Sequence, residues 1–465
     1  MLQLVRKSPR FFWLAVCAAV GLRLFFILQF PHISDDSFVY GDIAKNWLQH
    51  AIYGLRGNYG AYPTYIRLPG YPAFLAAVFA VFGVDHYRAV LFIQMLVDIG
   101  TCFLTADLAR RLCSSRAAKL TFLLAAICPF LANYTAAALS ETLEIFFTVL
   151  ALDLAICALA ASHSNGRWIG CGLAVGAAIL VRPDGGFLLI AIGLYLFVAF
   201  LKALRSRPHD DSPRAAYFVR AGLIVAAVSL APLIPWTIRN WNTFHTFQPL
   251  APRYANDLDE FVPLGFNRWV KTWMVDYASV EEIYWNVPGA KIDLDQLPAR
   301  AFDSPAQRLQ TAQVVDAYNT GLQIDQRLDQ QFAVIAADRI HDNPLRYYIT
   351  LPLARIADMW LRPRTELLPP DPRWWEFNDD KRWLAVALVF GVLNLAYIGA
   401  AFFGAIRARK LAYIGLLIEF ILFRSLFLGT IESPEPRYTM ECYPIIIVLA
   451  AICFLSATSH HNSPQ

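Results

Sequence analysis

Two adjacent carboxylates, Asp35 and Asp36, follow the first apolar run of the chain, in the stretch FPHISDDSFVYGDIAKNW (30–47). Tyr40 stands four residues after Asp36. A carboxylate just outside a hydrophobic segment can take a proton from a hydroxyl bound at a membrane surface. It can equally cap a helix, here one beginning near Ser37, because Asp is a favoured N-cap. A second acidic pair, Glu141 and Glu144 in ALSETLE (138–144), stands one helical turn apart at the end of a very apolar segment. Ionisable groups at such a depth are costly and are kept for function or paired with another charge. The plainer alternative is a helix-start carboxylate favoured by the dipole. Glu141 could orient an acceptor, hold a water or bind a cation.

Four arginines lie in other short polar stretches: Arg67, Arg182, Arg239 and Arg437. A planar guanidinium fork suits phosphate oxygens, although each of these side chains could instead snorkel to lipid headgroups. Arg437 stands beside Tyr438 in the turn ESPEPRY. Arg67 precedes Pro69 and Pro72.

The elements that must position these residues are membrane helices. The 465 residues are 57% hydrophobic and only 16% charged, with a mean hydropathy of +0.42. A soluble chain would carry about a quarter charged residues. The net charge of +4 gives no support to nucleic-acid binding. FFWLAVCAAVGLRLFFILQF follows the basic start MLQLVRKSPR, has no small-residue cleavage site after it, and reads as an uncleaved first span with a cytoplasmic N-terminus. Further apolar runs occupy 71–83, 88–108, 118–133, 139–161, 168–181, 185–204, 217–237, 345–361, 383–406, 411–430 and 443–457. The expected fold is an all-α integral membrane protein, a bundle of about 10–13 membrane helices. The run at 71–83 is short and carries Pro72, so a re-entrant or interfacial segment is expected in the first outer loop region.

The basic connectors ARRLCSSRAAK, HSNGR, LKALRSRPHDDSPR and RARK read as cytoplasmic, which turns the acidic and arginine motifs outward. Residues 241–344 are too long for a passive connection, and AQRLQTAQVVDAYNTGLQIDQRLDQQFAVIAADRI within them has helical character. The expected organisation is a catalytic membrane module at 1–240, a small helical outer subdomain at 241–344 and a C-terminal membrane region at 345–465. The tail SATSHHNSPQ reads as disordered, its histidines solvated.

The eight cysteines all lie in or at the ends of apolar runs, without a CxxC, so neither a disulfide framework nor a zinc site is indicated. Gly-rich phosphate loops, HExxH and a Ser-His-Asp set are missing from the sequence, which leaves nucleotide-sugar chemistry on a soluble frame unsupported. Asp98, Asp153, Glu419 and Arg424, inside apolar runs, read as structural polar pairs. Aromatic clusters such as PRWWEF suit interfacial belts.

Taken in order, the motifs resemble the polyprenyl-phosphate-sugar-dependent glycosyltransferases of the membrane GT-C class. The chain looks like a bacterial relative of the protein O-mannosyltransferases and the lipid A aminoarabinose transferases. DSFVYGDIAKNWLQHAIYG fits the D-x-x-x-Y first-loop motif, with Asp36 in the acidic position. YIRLPGYPAFLAAVFAVFG, AAALSETLEIFFTVLAL, GLAVGAAILVRPDG, PWTIRNWNTF and EPRYTMECYP follow as that family orders them. The resemblance covers residues 11 to about 250 and 430–457, and is loose over 250–430. Two departures stand out: the second acid, Asp35, precedes Asp36 instead of following it, and the second acidic motif carries Glu141 where Asp is usual.

The resemblance implies a sugar transferred from a polyprenyl-phosphate donor to a glycolipid, polysaccharide or protein acceptor on the periplasmic face of a bacterial inner membrane. Asp36 would be the base, with Asp35 as the alternative and Glu141 assisting. Arg437, Arg67, Arg182 and Arg239 would hold the donor phosphate, and Tyr40 and Tyr438 the substrate. No cofactor is implied; Asp36 and Glu141 could hold a divalent metal, but the monophosphate-donor members do not generally need one. The rival reading is a polytopic secondary transporter or lipid-linked sugar flippase, which would place broken helices and repeats at mid-membrane. Here the acids and arginines gather in the outer loops instead.

Overall fold

Helix α1 (Leu2–Lys7) leads through Ser8 into α2 (Pro9–Gln29), whose 21 residues start on a proline and rise about 30 Å, the thickness of a hydrocarbon core. The computed structural model describes residues 1–161, 164–205 and 215–455. The connectors HSNGR and LKALRSRPHDDSPR lie partly, and the tail SATSHHNSPQ wholly, outside them. The chain divides into two compact units. The first comprises Met1–Ala255, Leu395–Phe420 and the stretch from Glu441 onward; the second comprises Asn256–Asn394 and Ile421–Met440.

In the first unit, α3 (Asp35–His50) leaves the first span and is followed by an antiparallel hairpin, β1 (Gly54–Gly57) and β2 (Gly60–Pro63), and by α4 (Gly70–Phe82). Then come α5 (Tyr87–Leu112), α6 (Ser115–Ala126), α7 (Pro129–Tyr134), α8 (Glu141–Ala160), α9 (Asn165–Val181), α10 (Gly186–Arg205), α11 (Ala215–Leu230) and α12 (Leu233–Phe244). The apolar run at 118–133 is therefore two helices. Pro129 has no N–H to give and disfavours α-helical backbone at Cys128, so one helix ends and the next starts on the proline. With 13 residues, α4 is too short to cross a bilayer.

The second unit holds α13 (Leu264–Lys271), the single turn α14 (Tyr277–Ser279), α15 (Pro305–Gly321), α16 (Gln326–Asp342) and α17 (Leu351–Leu361). Phe266, Trp269, Trp273, Val315, Tyr318, Phe332 and Ile335 form its core. Ser304 caps α15 and Asp325 caps α16, each accepting a backbone N–H two or three residues into its helix. The unit boundaries fall inside α18 (Lys381–Ala408) and α19 (Ile414–Leu428), and α20 (Tyr443–Cys453) packs on α5 and α6.

Seven helical stretches among the described residues are long and apolar enough to span a membrane: Pro9–Gln29, Tyr87–Leu112, Glu141–Ala160, Pro183–Arg205, Ala215–Phe244, Lys381–Ala408 and Pro436–Cys453. This is a multi-span helical membrane protein, as its composition requires. Exposed Ile190, Leu194 and Phe197 on α10 and Phe402 and Phe403 on α18 offer lipid-facing surface. Of the polar groups expected to pair inside the apolar runs, Asp98 meets Arg23 at 2.7 Å and Asp153 meets Arg111 at 2.8 Å. Arg424 donates to the Tyr438 carbonyl at 2.8 Å, and Glu419 Oε2 has no hydrogen-bond partner among the described residues.

Candidate active site

The helix carrying the first acids begins earlier than the sequence suggests. Ser34 is its N-cap, in a capping box with Ser37, whose Oγ accepts the Ser34 backbone N–H at 3.1 Å. Asp35 and Asp36 therefore occupy the first two helical positions, and neither is needed as the cap. Asp35 is exposed, whereas Asp36 turns inward and accepts a hydrogen bond from Arg67 Nη2 at 2.8 Å. Ser37, Tyr40 and Ala44 line the buried face of α3 at helical spacing. Gly41, also on that face, is required by space. A Cβ there would sit 1.8 Å from the Tyr87 hydroxyl, which donates to the Ser37 carbonyl at 3.2 Å.

Three backbone and buried side-chain contacts bring the other motifs to this helix. First, His32 bridges in parallel to residues 136–138: its N–H donates to the Ala136 carbonyl at 2.8 Å, and its carbonyl accepts from Ala138 N at 3.1 Å. The segments leading to Asp36 and to Glu141 are thus stitched together. Second, Gln94 of α5, fully buried, donates to the Ala137 carbonyl at 2.7 Å and accepts from the Tyr71 hydroxyl at 2.8 Å. The Tyr71 ring meets the Tyr40 ring edge-on, with centroids 4.9 Å apart. Third, Gly70 lies so close to the end of α9 that a Cβ would come within 2.5 Å of the Leu180 backbone. That approach brings the Arg67 segment beside Arg182, the residue after α9.

The result is two ion-paired arginines flanking one tyrosine. Arg67 stacks over the Tyr40 ring at 5.5 Å while pairing with Asp36. Arg182 contacts Glu141 at 3.1 Å, Glu144 at 3.3 Å and Asp184 at 3.4 Å. Glu141 and Glu144 are both buried. Burial opposes the charge of Arg182, but Asp184, Glu144, Glu141 and Glu441 together hold its pKa well above the ordinary value. Arg67 is likewise raised: burial works against its charge, and Tyr40 and Asp36 overcome that. Burial pushes the Tyr40 phenol up, opposed by Arg67 and Arg182 and reinforced by Asp36 and Glu141. One tyrosine therefore feels both pairs.

Of the sequence-derived candidates, Asp36, Tyr40, Arg67, Glu141 and Arg182 come together. Arg239 is engaged otherwise. Its guanidinium donates to the carbonyls of Tyr53 and Thr64, each at 2.7 Å, and lies over the rings of Tyr53, Trp236 and Phe244 at 5.2–5.3 Å. It clamps the hairpin to α12. Arg437 and Tyr438 belong to the second unit. There Glu435 joins them, its carboxylate 2.6 Å from Arg437 Nε and accepting from the Tyr438 hydroxyl at 2.6 Å. Asp184, Glu441, Gln94 and Tyr71 were not singled out by sequence reasoning. Asp184 and Tyr71 had local signals, one standing two residues from Arg182 in RPDG and the other four residues after Arg67 in RLPGY. Among the described residues, no three His, Cys, Asp or Glu side chains gather as a metal-holding group.

Residues 66–236 match the family model described as dolichyl-phosphate-mannose-protein mannosyltransferase. The archaeal oligosaccharyltransferase AglB from Archaeoglobus fulgidus, solved with an inhibitory peptide and a dolichol-phosphate, is similar in fold, with a TM-score of 0.54 at 14% identity. The match covers 97% of this chain and 50% of that one. A second structure of that oligosaccharyltransferase, tethered to an acceptor peptide, gives a TM-score of 0.53 at 14% identity, over 97% of this chain and 50% of that one. ArnT from Cupriavidus metallidurans, bound to undecaprenyl phosphate, matches with a TM-score of 0.43 at 14% identity, over 96% of this chain and 78% of that one. This chain thus spans about half the length of the oligosaccharyltransferase it resembles. Among curated proteins, none matches it in sequence. The GT-C resemblance drawn from the ordered motifs agrees with the family model over 66–236, and the oligosaccharyltransferase structures share the fold.

Proposed function

We propose that this protein is a glycosyltransferase that moves a sugar from a polyprenyl-phosphate donor to an acceptor hydroxyl on the outer face of the membrane. The observation that carries the reading is the meeting of Asp36, Arg67, Tyr40, Arg182 and Glu141 where outer segments leave the spans. That gathering offers one partly exposed carboxylate and two cations, which is the chemistry such a transfer needs. Support comes from the family model over 66–236 and from a fold-neighbour solved with a dolichol-phosphate.

In this reading the acceptor oxygen attacks the anomeric carbon and its proton passes to Asp36. The bond from that carbon to the phosphate oxygen breaks, and its electron pair leaves with the polyprenyl phosphate. Charge grows on the phosphate as the bond breaks, so cations placed there stabilise the transition state more than the ground state. Arg67 is shared: as it turns to the phosphate, Asp36 is released for the proton. Arg182, held in place by Glu141, Glu144 and Asp184, presents its fork beside Arg67 for the phosphate oxygens. Tyr40 carries the sugar-facing surface between the pairs. Arg437, with Tyr438, is assigned to the donor phosphate by its motif and its fork. Arg239 is left to the hairpin.

Purified protein in sealed proteoliposomes, given a panel of labelled polyprenyl-phosphate sugars with lipid and peptide acceptors, should release free polyprenyl phosphate as label moves to acceptor. Downhill movement of intact donor across the bilayer, with no release, would instead establish the flippase reading.

A further inference from the structure

Gln94 has no part in the chemistry just described, yet it sits where the segments of the site cross. It belongs to α5, the helix whose first residue, Tyr87, also reaches the helix of Asp36, and its side chain is fully enclosed. Its amide is used at both ends. The nitrogen donates to the Ala137 carbonyl at 2.7 Å, and the oxygen accepts from Tyr71 at 2.8 Å. Ala137 lies inside the bridge that joins His32 to the strand-like segment before Glu141. Tyr71 follows Arg67 on the same chain segment and packs edge-on against Tyr40. An amide is the side chain suited to this place, since it offers a donor and an acceptor in one plane and carries no charge to bury.

We infer that Gln94, acting with the Tyr71 hydroxyl, is a positioning residue. It sets the distance between the Asp36–Arg67 pair and the Glu141–Arg182 pair. The inference rests on the proposed reading of those pairs. If the amide is lost, the Ala137 carbonyl and the Tyr71 hydroxyl lose their partners in a dry interior, and the two segments can relax independently. Transfer falls because the reacting groups drift, while the cations that meet the donor phosphate remain.

The test compares Gln94→Met, which keeps length and removes both hydrogen bonds, with Tyr71→Phe, which keeps the ring against Tyr40 and removes one. Each is assayed at equal folded concentration, alone and combined with Asp36→Asn. Misplacement by about an ångström can cost on the order of a hundredfold, so Gln94→Met should lower kcat by ten- to a hundred-fold, and Tyr71→Phe by less. Donor KM should change little in either. Added to Asp36→Asn, both changes should have almost no further effect on kcat, because a removed base no longer needs placing. If Asp36→Asn is inactive while Gln94→Met keeps wild-type kcat, or raises donor KM alone, the positioning role is overturned and the base reading survives. Full additivity of Gln94→Met with Asp36→Asn would mark a purely structural residue and overturn it as well. An active Asp36→Asn would overturn the base reading first, and this inference with it.

Discussion

Two arginines of the first unit and two of the second keep different company. In the first, Arg67 and Arg182 face carboxylates: Asp36 for one, and Glu141, Glu144 and Asp184 for the other. In the second, Arg339 and Arg355, both fully enclosed, face mostly the main chain. Arg339 donates to the carbonyls of Ala301 and Arg300 at 2.7 and 2.9 Å and to the Thr272 hydroxyl at 2.8 Å. Arg355 donates to the carbonyls of Met274, at 2.9 Å, and Gly429, at 3.2 Å, and to that of Lys271. The difference separates two uses of one side chain. A guanidinium beside a carboxylate can exchange that anion for a phosphate with little change in its own bonding. One surrounded by carbonyls has a fixed cage to satisfy, and moving it would leave several buried acceptors bare. Arg239, filled by the carbonyls of Tyr53 and Thr64, shows the second pattern, and Arg437, paired with Glu435, shows the first.

The largest effect should come from the carboxylate at the centre of the first group. Asp36→Asn keeps size and hydrogen-bonding shape and removes the proposed base. Transfer should fall by about a hundred- to ten-thousand-fold, with expression and donor binding nearly intact. Asp35→Asn should cost far less, because Asp35 is exposed and the cap is Ser34. Rates measured at saturating donor check this. If Asp35→Asn is the inactive variant, the assignment by D-x-x-x-Y spacing fails.

Arg437 tests whether carboxylate company marks a phosphate ligand. Arg437→Ala should raise the apparent donor KM and lower kcat, for a loss of roughly thirty- to a thousand-fold in kcat/KM, about 2–4 kcal/mol. Arg437→Lys should restore only part, since an ammonium keeps the charge but lacks the fork. A fully active Lys variant with an unchanged donor KM would return Arg437 to the lipid headgroups.

Arg339 tests the other side. Burial lowers its pKa to about 10, so it is still charged at neutral pH. Arg339→Lys cannot reach all of the carbonyl cage and should destabilise by about 1–3 kcal/mol, seen as a lower Tm. Neither kcat nor donor KM should move at equal folded concentration. A change in either would mean that carbonyl-caged arginines also serve the reaction, and the criterion would fall.

The membrane class and the order of the motifs were legible because they depend on local quantities, namely apolar run length and residue spacing. What was not legible depended on crossings. Nothing near Gln94 in LFIQMLVDIG marks it as the node between two acidic motifs, because its partners are a carbonyl 43 residues away and a hydroxyl 23 residues away. Ser34 was overlooked as a cap because the two aspartates beside it are such good caps themselves. Glu441 acts on Arg182 across more than half the chain, and a single sequence contains no sign of that. The arginine of PWTIRN could not be told from a phosphate ligand until the carbonyls of Tyr53 and Thr64 were seen to fill it.

The smallest effect probes how far the carbonyl cage of Arg339 stands on its own. One carboxylate does lie near it: Asp303, 3.4 Å away, which Arg346 grips at 2.5 and 2.7 Å. Burial would push the Asp303 carboxyl up, but the Arg346 hydrogen bonds and the charges of Arg339 and Arg346 bring it below the usual carboxylate value. A group depressed in the folded state stabilises above its unfolded pKa, near 3.9, and loses that contribution as pH falls through its lower folded value. Because the pair is partly exposed, the contribution should be about 0–1 kcal/mol. Plots of Tm against pH for wild type and Asp303→Asn should therefore run slightly apart at neutral pH and converge as acid protonates Asp303. A constant gap at every pH would show that Asp303 works as a neutral hydrogen-bond acceptor. A gap well beyond 1 kcal/mol would mean that Arg339 leans on a carboxylate after all, and the line between carbonyl-caged and carboxylate-paired arginines would have to be drawn elsewhere.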